Sequence, residues 1–158
     1  MPTTPREQAW SDLQPEHGRI LVLTANPISQ SIFTIGTAAG RLVVVLADDE
    51  DGPGLVSLAP SEGDAVVVCD HDAPDARQFL RDALASPASY VAMMASRRRA
   101  AALMAELEGE GVAGLDKLHV PAGHDLGGKS PGEIALSVVA EIVAESYDRP
   151  GGPMRGPR

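Results

Sequence analysis

A chain of 158 residues has the length of one ordinary domain. Its 44% hydrophobic residues are enough to build a core and argue against global disorder. The net charge of −9 argues against a nucleic-acid partner, because phosphate binding needs clustered Lys and Arg. The single cysteine, Cys69, excludes an internal disulfide and fits a reducing compartment.

The two ends of the chain differ in composition from the middle. Residues 1–18 form a polar lead-in without the apolar stretch of a signal peptide. Residues 148–158 contain three Pro and three Gly, which predicts a disordered tail. No apolar run approaches the ~20 residues needed to cross a bilayer, so we expect no membrane partner and a cytoplasmic location. The stretch between the ends, residues 19–147, is predicted to be one domain.

Short apolar runs alternate with helical patterns along this domain. The runs predicted as buried strands are Ile20–Leu23, Leu42–Leu46, Ala65–Cys69, Ser89–Met94 and Lys117–His119. The predicted helices are Ser29–Ala39, Pro74–Ala85, Ser96–Gly111 and Ser130–Tyr147. Strands that alternate with helices, without hairpin signals, predict an α/β fold: a Rossmann-like, doubly wound parallel sheet of about five strands in three layers.

Cap residues mark two of the helix ends. Gly40 follows the first helix, and glycine is favoured just past a helix end. Before the last helix, Ser130 is predicted as the N-cap, with Pro131 at the first helical position. Glu133 is placed to complete a capping box with Ser130.

The loop after the first strand departs from the dinucleotide-binding pattern. That pattern is Gly-x-Gly-x-x-Gly, in which glycines allow a tight turn and a close approach to pyrophosphate. The corresponding residues here are Thr24, Asn26 and Ser29. Asn26 tolerates unusual backbone angles, whereas Pro27 removes an N–H where amides would bind an anion. NAD binding is therefore weakened by the missing glycines.

The loop after the second strand carries an acidic cluster that begins at Asp48. An acid at this distance from the first loop is suited to the ribose 2′-OH of NAD, and it would repel the 2′-phosphate of NADP. The structural alternative is a solvated acidic turn.

Two later loops lead into helix starts and are candidate anion sites. Ser96, Arg97 and Arg98 open one helix, where free N–H groups and guanidinium groups suit a phosphate. The alternative is an N-cap followed by solvated arginines. The second loop offers its glycines and a lysine to an anion, or else is a tight crossover before a capped helix. Its candidate residues are Gly123, His124, Gly127, Lys129 and Ser130.

The segment Cys69-Asp70-His71-Asp72 follows the third strand and is a candidate metal or sulfur-handling site. A cysteine that ends a buried strand is more often an inert small hydrophobe. His71 and two other histidines lie at strand ends, yet no closed set of ligand spacings is present. We therefore predict no metal, and the sequence shows no catalytic constellation.

Three segments together carry a resemblance to a known family. The longest runs from Pro121 to Glu141 and reads Pro-Ala-Gly-His-Asp-Leu-Gly-Gly-Lys-Ser-Pro-Gly-Glu-Ile-Ala-Leu-Ser-Val-Val-Ala-Glu. The others are Tyr90–Arg99, with its Ser-Arg-Arg run, and the Cys69–Asp72 turn, with its His-Asp pair. In order and spacing these resemble the XdhC/CoxI family, the xanthine dehydrogenase and CO dehydrogenase accessory proteins, over the Rossmann domain from about Arg19 to Glu145.

The resemblance implies an accessory protein that binds a nucleotide or molybdenum cofactor of the molybdopterin type. Such a protein delivers the cofactor to a molybdenum hydroxylase of the xanthine or CO dehydrogenase type. The family's Gly-Ala-Gly-His first loop is Thr24 to Pro27 here, the Gly before Ser-Arg-Arg is Ala95, and the Leu after Gly123 is His124. These departures affect ligand-facing loops, while the packing segments are kept.

Two other functions remain open alternatives at this stage. One is an NAD-dependent oxidoreductase domain, which the fold and Asp48 suggest. The other is a degenerate Rossmann domain used for protein association, including a homodimer.

Overall fold

The computed structural model describes residues 17–46, 54–70, 72–73 and 75–156. Its strands are β1 (Ile20–Leu23), β2 (Val43–Leu46), β3 (Ala65–Val68), β4 (Tyr90–Met93) and β5 (Leu118–His119). Its helices are α1 (Pro27–Ala38), α2 (Ala76–Ala85), α3 (Arg97–Gly109) and α4 (Pro131–Ser146). Two short 3₁₀ turns, Leu55–Leu58 and Leu115–Lys117, were not predicted from the sequence.

The strands form one parallel sheet in the order β2-β1-β3-β4-β5. The chain builds outward from β1 to one side and then, from β3 onward, to the other. The direction therefore reverses between β1 and β3, which makes this the topological switch point of the sheet. The prediction of a Rossmann-like doubly wound sheet with about five strands is confirmed for the described residues.

Helices cover both faces of the sheet. Side chains alternate along each strand, so that Leu21 and Val66 pack toward α2 and α3, while Val22 and Val67 pack toward α1 and α4. All four of these side chains are fully buried. A strand covered on both faces needs a continuous apolar run, which is the pattern that predicted these strands. The sheet and the pair of helices on each of its faces thus form three layers.

Helix α1 begins two residues before its predicted start at Ser29. Asn26 is its N-cap, and the Asn26 Oδ1 atom accepts the Ser29 N–H at 2.9 Å. In return, the Asn26 N–H donates to Ser29 Oγ at 2.8 Å. This reciprocal cap, with Pro27 at the first helical position, starts the helix inside what was predicted to be a loop.

The predicted caps at Gly40 and Ser130 are present. Gly40 has φ +82°, and the Arg41 N–H donates to Gly36 O at 2.9 Å, as in a glycine-terminated helix. Ser130 Oγ accepts the Glu133 N–H at 3.2 Å and donates to Glu133 Oε1 at 2.6 Å. Glu133 thus bonds the hydroxyl of Ser130 rather than its backbone N–H, and only half of the predicted capping box forms.

The predicted ends of the domain are only partly covered by the described residues. Within the lead-in, residues 1–16 lie outside them. The structure gives residues 149–156 neither helix nor strand, and the disorder of 148–158 stays a prediction. In the described part of the chain, no helix combines the length and apolarity required to cross a bilayer.

Thr24, the residue just after β1, has φ +83° and is buried. A positive φ is unusual for any residue other than glycine and is a true outlier for a β-branched one. Such a conformation costs of order 1–3 kcal/mol. Thr24 also occupies the first glycine position of the dinucleotide-binding pattern. The backbone there has a conformation that glycine favours, although the residue is a threonine.

At the opposite end of β1, Arg19 and Asp64 connect the two central strands. Asp64 Oδ1 accepts the Arg19 N–H at 2.7 Å, and Oδ2 accepts the Arg19 Nη2 at 2.8 Å and the Ser61 N–H at 2.9 Å. Only 3% of the Asp64 side chain is exposed. Burial raises the pKa of this carboxyl, but the bonds from Arg19 and Ser61 outweigh burial and hold it below its usual value.

We expect Thr24→Gly to raise the free energy of unfolding by about 1 kcal/mol. Relief of the 1–3 kcal/mol strain exceeds the roughly 0.5–1 kcal/mol entropic cost of glycine. Urea unfolding measures the change. The matched control is Thr34→Gly on the exposed face of α1, which should lower stability because glycine disfavours a helix interior. A loss of stability in Thr24→Gly would contradict the strain argument.

We expect Asp64→Asn to lower the free energy of unfolding by about 2 kcal/mol at neutral pH, because a buried carboxylate acceptor is lost. The pKa of Asp64 is lowered by folding, so its stabilisation is complete above its unfolded pKa of about 3.9. The stabilisation is lost as pH falls through the folded pKa. The difference between wild type and variant, measured by urea unfolding, should therefore shrink below about pH 4. The exposed neighbour Glu62, changed to Gln, serves as the control. A pH-independent difference would refute this assignment.

Candidate functional site

Loops from three strands meet at the carboxyl edge of the sheet and enclose a cleft of about 350 Å³. The cleft is lined by residues 124–129 after β5, Met94 and Ala95 after β4, and Ile28 at the start of α1. Ala122, Ile134 and Ser137 complete its walls. Ligands of doubly wound sheets bind at this edge, near the switch point. The volume lies at the lower end of the range of small-molecule pockets.

The cleft brings together some of the residues selected from the sequence. His124, Gly127 and Lys129 line it. Arg97 stands beside it, since its Nη2 lies 3.8 Å from Asp125 Oδ2 and both side chains are largely exposed. Arg98 is exposed on the first turn of α3.

Other predicted site residues have structural roles or lie elsewhere. Ser96 is the N-cap of α3 and accepts the Arg99 N–H at 3.2 Å. Ser130 caps α4, and Asn26 caps α1 while its Nδ2 donates to Cys69 O at 3.4 Å. Asp48 and His71 fall outside the described residues.

The helices α1, α3 and α4 begin along the cleft, and their N-termini differ in charge. At α1 the Asn26 side chain occupies the end, and Pro27 supplies no N–H. At α4 the Glu133 carboxylate already lies in the first turn. The first turn of α3 carries no acid and three successive arginines. Arg99 is paired with Asp72, so the helix dipole adds to the guanidinium groups of Arg97 and Arg98, and α3 offers the most positive helix start along the cleft.

Two glycines shape the loop that lines the cleft. Gly123 has φ +95°, and a Cβ atom there would lie 2.4 Å from Ser137 Oγ. Any larger residue would therefore collide with α4 as well as strain the backbone. Gly127 has φ +84° but open space around it. Glycine is therefore favoured there by its backbone conformation and not by a lack of room for a side chain.

Glu141 on α4 fixes the start of this loop, and sequence reasoning did not select it as a site residue. Its Oε1 atom accepts the Tyr90 hydroxyl at 2.6 Å and the Gly123 N–H at 3.2 Å. His119 Nδ1 lies 3.6 Å from the same oxygen, and the His119 ring stacks on Tyr90 with centroids 4.4 Å apart. The signal available in the sequence was the Ala-Glu pair that ends the family-like segment.

The pKa shifts of this cluster follow from its burial and its hydrogen bonds. Burial raises the pKa of Glu141, but the bonds from His119, Tyr90 and Gly123 outweigh burial and leave it lowered. Burial and the adjacent carboxylate raise the pKa of Tyr90 well above its usual value. The cluster therefore holds an ionised Glu141 under a neutral phenol, which is a stable arrangement for positioning a loop.

His124 and Ser137 both line the cleft but do not form a nucleophile–base pair. Ser137 Oγ donates to Ile134 O at 2.6 Å. The buried His124 Nε2 has no hydrogen-bond partner among the described residues and lies against Gly151, where an added Cβ would be 2.5 Å away. The cleft therefore lacks a visible catalytic pair within the described chain.

Cys69 and its neighbours do not assemble into a metal centre in the described part of the chain. Cys69 is 5% exposed, and burial raises the pKa of its thiol to about 12. A thiol with that pKa is neither a good nucleophile nor a ready metal ligand. Among described residues no three His, Cys, Asp or Glu side chains come together, and His71 lies outside them.

A second cleft, of about 530 Å³, lies between α2 and α3. Its arginines are matched by acids: Arg99 Nη1 lies 3.2 Å from Asp72 Oδ1, and Arg77 pairs with Glu106. Because Arg99 and Arg77 are both paired, this cleft is a weaker anion site than Arg98 and Arg97 at the start of α3, where Arg97 is only loosely paired, 3.8 Å from Asp125.

Comparison with known proteins identifies a family and similar proteins. A family model described as the XdhC Rossmann domain matches residues 20–142. The uncharacterized protein YqeB of Escherichia coli (strain K12) is 36% identical over 83 residues, which are 51% of this chain and 15% of YqeB. The chain therefore spans a minor part of that relative's length.

A solved structure shares the fold. The crystal structure described as a xanthine dehydrogenase from Bacillus halodurans superimposes with a TM-score of 0.69 at 20% identity. The alignment covers 84% of this chain and 44% of that chain. The sequence resemblance noted in the Pro121–Glu141 segment, the described fold and the family match agree, and the match covers most of the chain. The protein belongs to the XdhC Rossmann-domain family.

Proposed function

We propose that this chain is the Rossmann domain of an accessory protein for a molybdenum hydroxylase. In this role it binds a nucleotide or a molybdopterin-type cofactor and passes it to an enzyme of the xanthine or CO dehydrogenase type. Family membership supports the accessory role. The observation that carries ligand binding is the cleft at the carboxyl edge, which adjoins a positive helix start.

The chemistry of the cleft fits a small ligand with an anionic end and a flat, less polar body. Arg97 and Arg98 at the start of α3 would hold a phosphate through charge-assisted hydrogen bonds. Lys129 lines the cleft and adds a further positive charge. Ile28, Ala122 and Ile134 give apolar surface against which a pterin or cytosine ring would pack. When bound, a molybdenum cofactor would supply the redox chemistry of the partner enzyme, and these residues would bind and orient it.

The first loop argues against NAD as the ligand. Pyrophosphate binding there needs free amides and room for a close backbone approach. Asn26 occupies the start of α1, and Pro27 removes one donor. A ligand of this domain therefore depends on the later loops rather than on the first.

Thermal-shift titration tests the proposal. We expect CTP and molybdopterin cytosine dinucleotide to raise the melting temperature, because a ligand that binds the folded state stabilises it. NAD and NADP should give no shift. A shift with NAD alone would overturn the proposal in favour of an oxidoreductase domain, and no shift with any ligand would favour a protein-association domain.

A double variant tests the anion site. Arg97→Ala with Arg98→Ala should abolish the CTP shift, since two guanidinium groups at the start of α3 are removed. The matched control, Arg149→Ala with Arg155→Ala, removes the same charge from the tail and should keep the shift. Unchanged CTP binding in the first variant would eliminate this site.

A further inference from the structure

An open apolar groove of about 970 Å³ runs along α4, away from the cleft at the carboxyl edge. Its walls come from α4, from the end of α1 and from residues 149–154 of the tail. Leu136 and Tyr147, at the two ends of the α4 face, are 47% and 48% exposed. Side chains of this size leave a contiguous apolar surface that favours a covering segment.

The described chain begins at one end of this groove. His17 Nε2 lies 2.9 Å from the Tyr147 hydroxyl, and the two rings meet edge to face with centroids 5.0 Å apart. His17, to which residues 1–16 are joined, therefore lies at the Tyr147 end of the groove. The α4 face from Leu136 to Tyr147 is about 17 Å long at 1.5 Å per helical residue. Sixteen residues reach that distance either as a helix, about 24 Å, or as extended chain.

Two arginines without an ion-pair partner among the described residues lie at this groove: Arg149 lines it, and Arg41 lies beside its Tyr147 end. Arg41 is only 6% exposed, and its Nη2 donates to Ser146 Oγ at 2.9 Å. Within the described residues no carboxylate lies within ion-pair distance of Arg41. Arg149 lines the groove, and no acid does so among the residues described. A buried guanidinium without a counter-charge favours an acidic partner.

Residues 1–16 match the groove in both respects. They contain three acids, Glu7, Asp12 and Glu16, against the single base Arg6. They also contain Trp10 and Leu13, two large apolar residues. We propose that residues 1–16 dock along the α4 groove, with Trp10 and Leu13 on its apolar floor and an acid of the segment paired with Arg41. A second copy is the weaker occupant, since a symmetric interface would place two sets of Arg41 and Arg149 together.

Tryptophan fluorescence of the full chain tests the docking, because Trp10 is the chain's single tryptophan. We expect a blue-shifted emission maximum in the native protein relative to the protein in concentrated guanidinium. Leu136→Asp should remove most of the blue shift while far-UV circular dichroism stays unchanged, since Leu136 is half exposed. Arg41→Met should also reduce the blue shift, and Arg41→Lys should retain it.

The matched control is Val56→Asp, which puts the same charge on an apolar side chain that is 73% exposed outside the groove. It should leave the emission unchanged. Native emission equal to that of the denatured protein would overturn the docking, as would a blue shift insensitive to both Leu136→Asp and Arg41→Met. Sedimentation at two concentrations identifies the occupant of the groove. A monomer supports residues 1–16 as the occupant. A dimer that Leu136→Asp dissociates would show instead that a second copy of the chain occupies the groove.

Discussion

The four-residue strands β1, β3 and β4 are buried along their whole length, and this two-sided burial decides where polar chemistry can lie. Residues such as Leu21, Val67 and Val91 have no exposed surface. An unpaired polar group in these layers would lose its hydration without compensation. Charged and hydrogen-bonding side chains are therefore concentrated at the two edges. Arg19 and Asp64 join β1 to β3 at the amino edge, and the candidate cleft opens at the carboxyl edge.

Glu141 is the exception, since it brings a carboxylate between the sheet and α4. Removal from water costs a carboxylate several kcal/mol unless hydrogen bonds replace the lost hydration. The Tyr90 hydroxyl and the Gly123 N–H do so here, with His119 close by. This arrangement fixes the position of the loop that begins at Gly123. Gly123 begins the loop that forms one wall of the cleft, so the cleft's shape depends on a half-buried carboxylate that does not itself line it.

The fold was predictable from the sequence because its strands are short apolar runs, a pattern that local reading detects well. The start of α1 was missed because Asn26 and Pro27 are typical of loops until a reciprocal bond between Asn26 and Ser29 makes them a cap. Glu141 was missed for a different reason. Its partner Tyr90 lies 51 residues earlier, and only the sheet's topology brings them together. Interactions between distant segments leave no periodic signal in one sequence.

The first loop differs from the dinucleotide-binding pattern in its glycine positions and in its helix cap. Thr24 keeps a left-handed backbone that a glycine would adopt without strain. Asn26 then fills the helix end with its own side chain, in the place where an anion would bind. A loop that binds pyrophosphate has a glycine at the first of these positions and leaves the amides of the helix start free for the anion. The later loops keep the opposite features: Gly123 and Gly127 retain positive φ, and α3 begins with arginines and no acid. A ligand at this edge would therefore find free amides and positive charge at the loops after β4 and β5 rather than at the loop after β1.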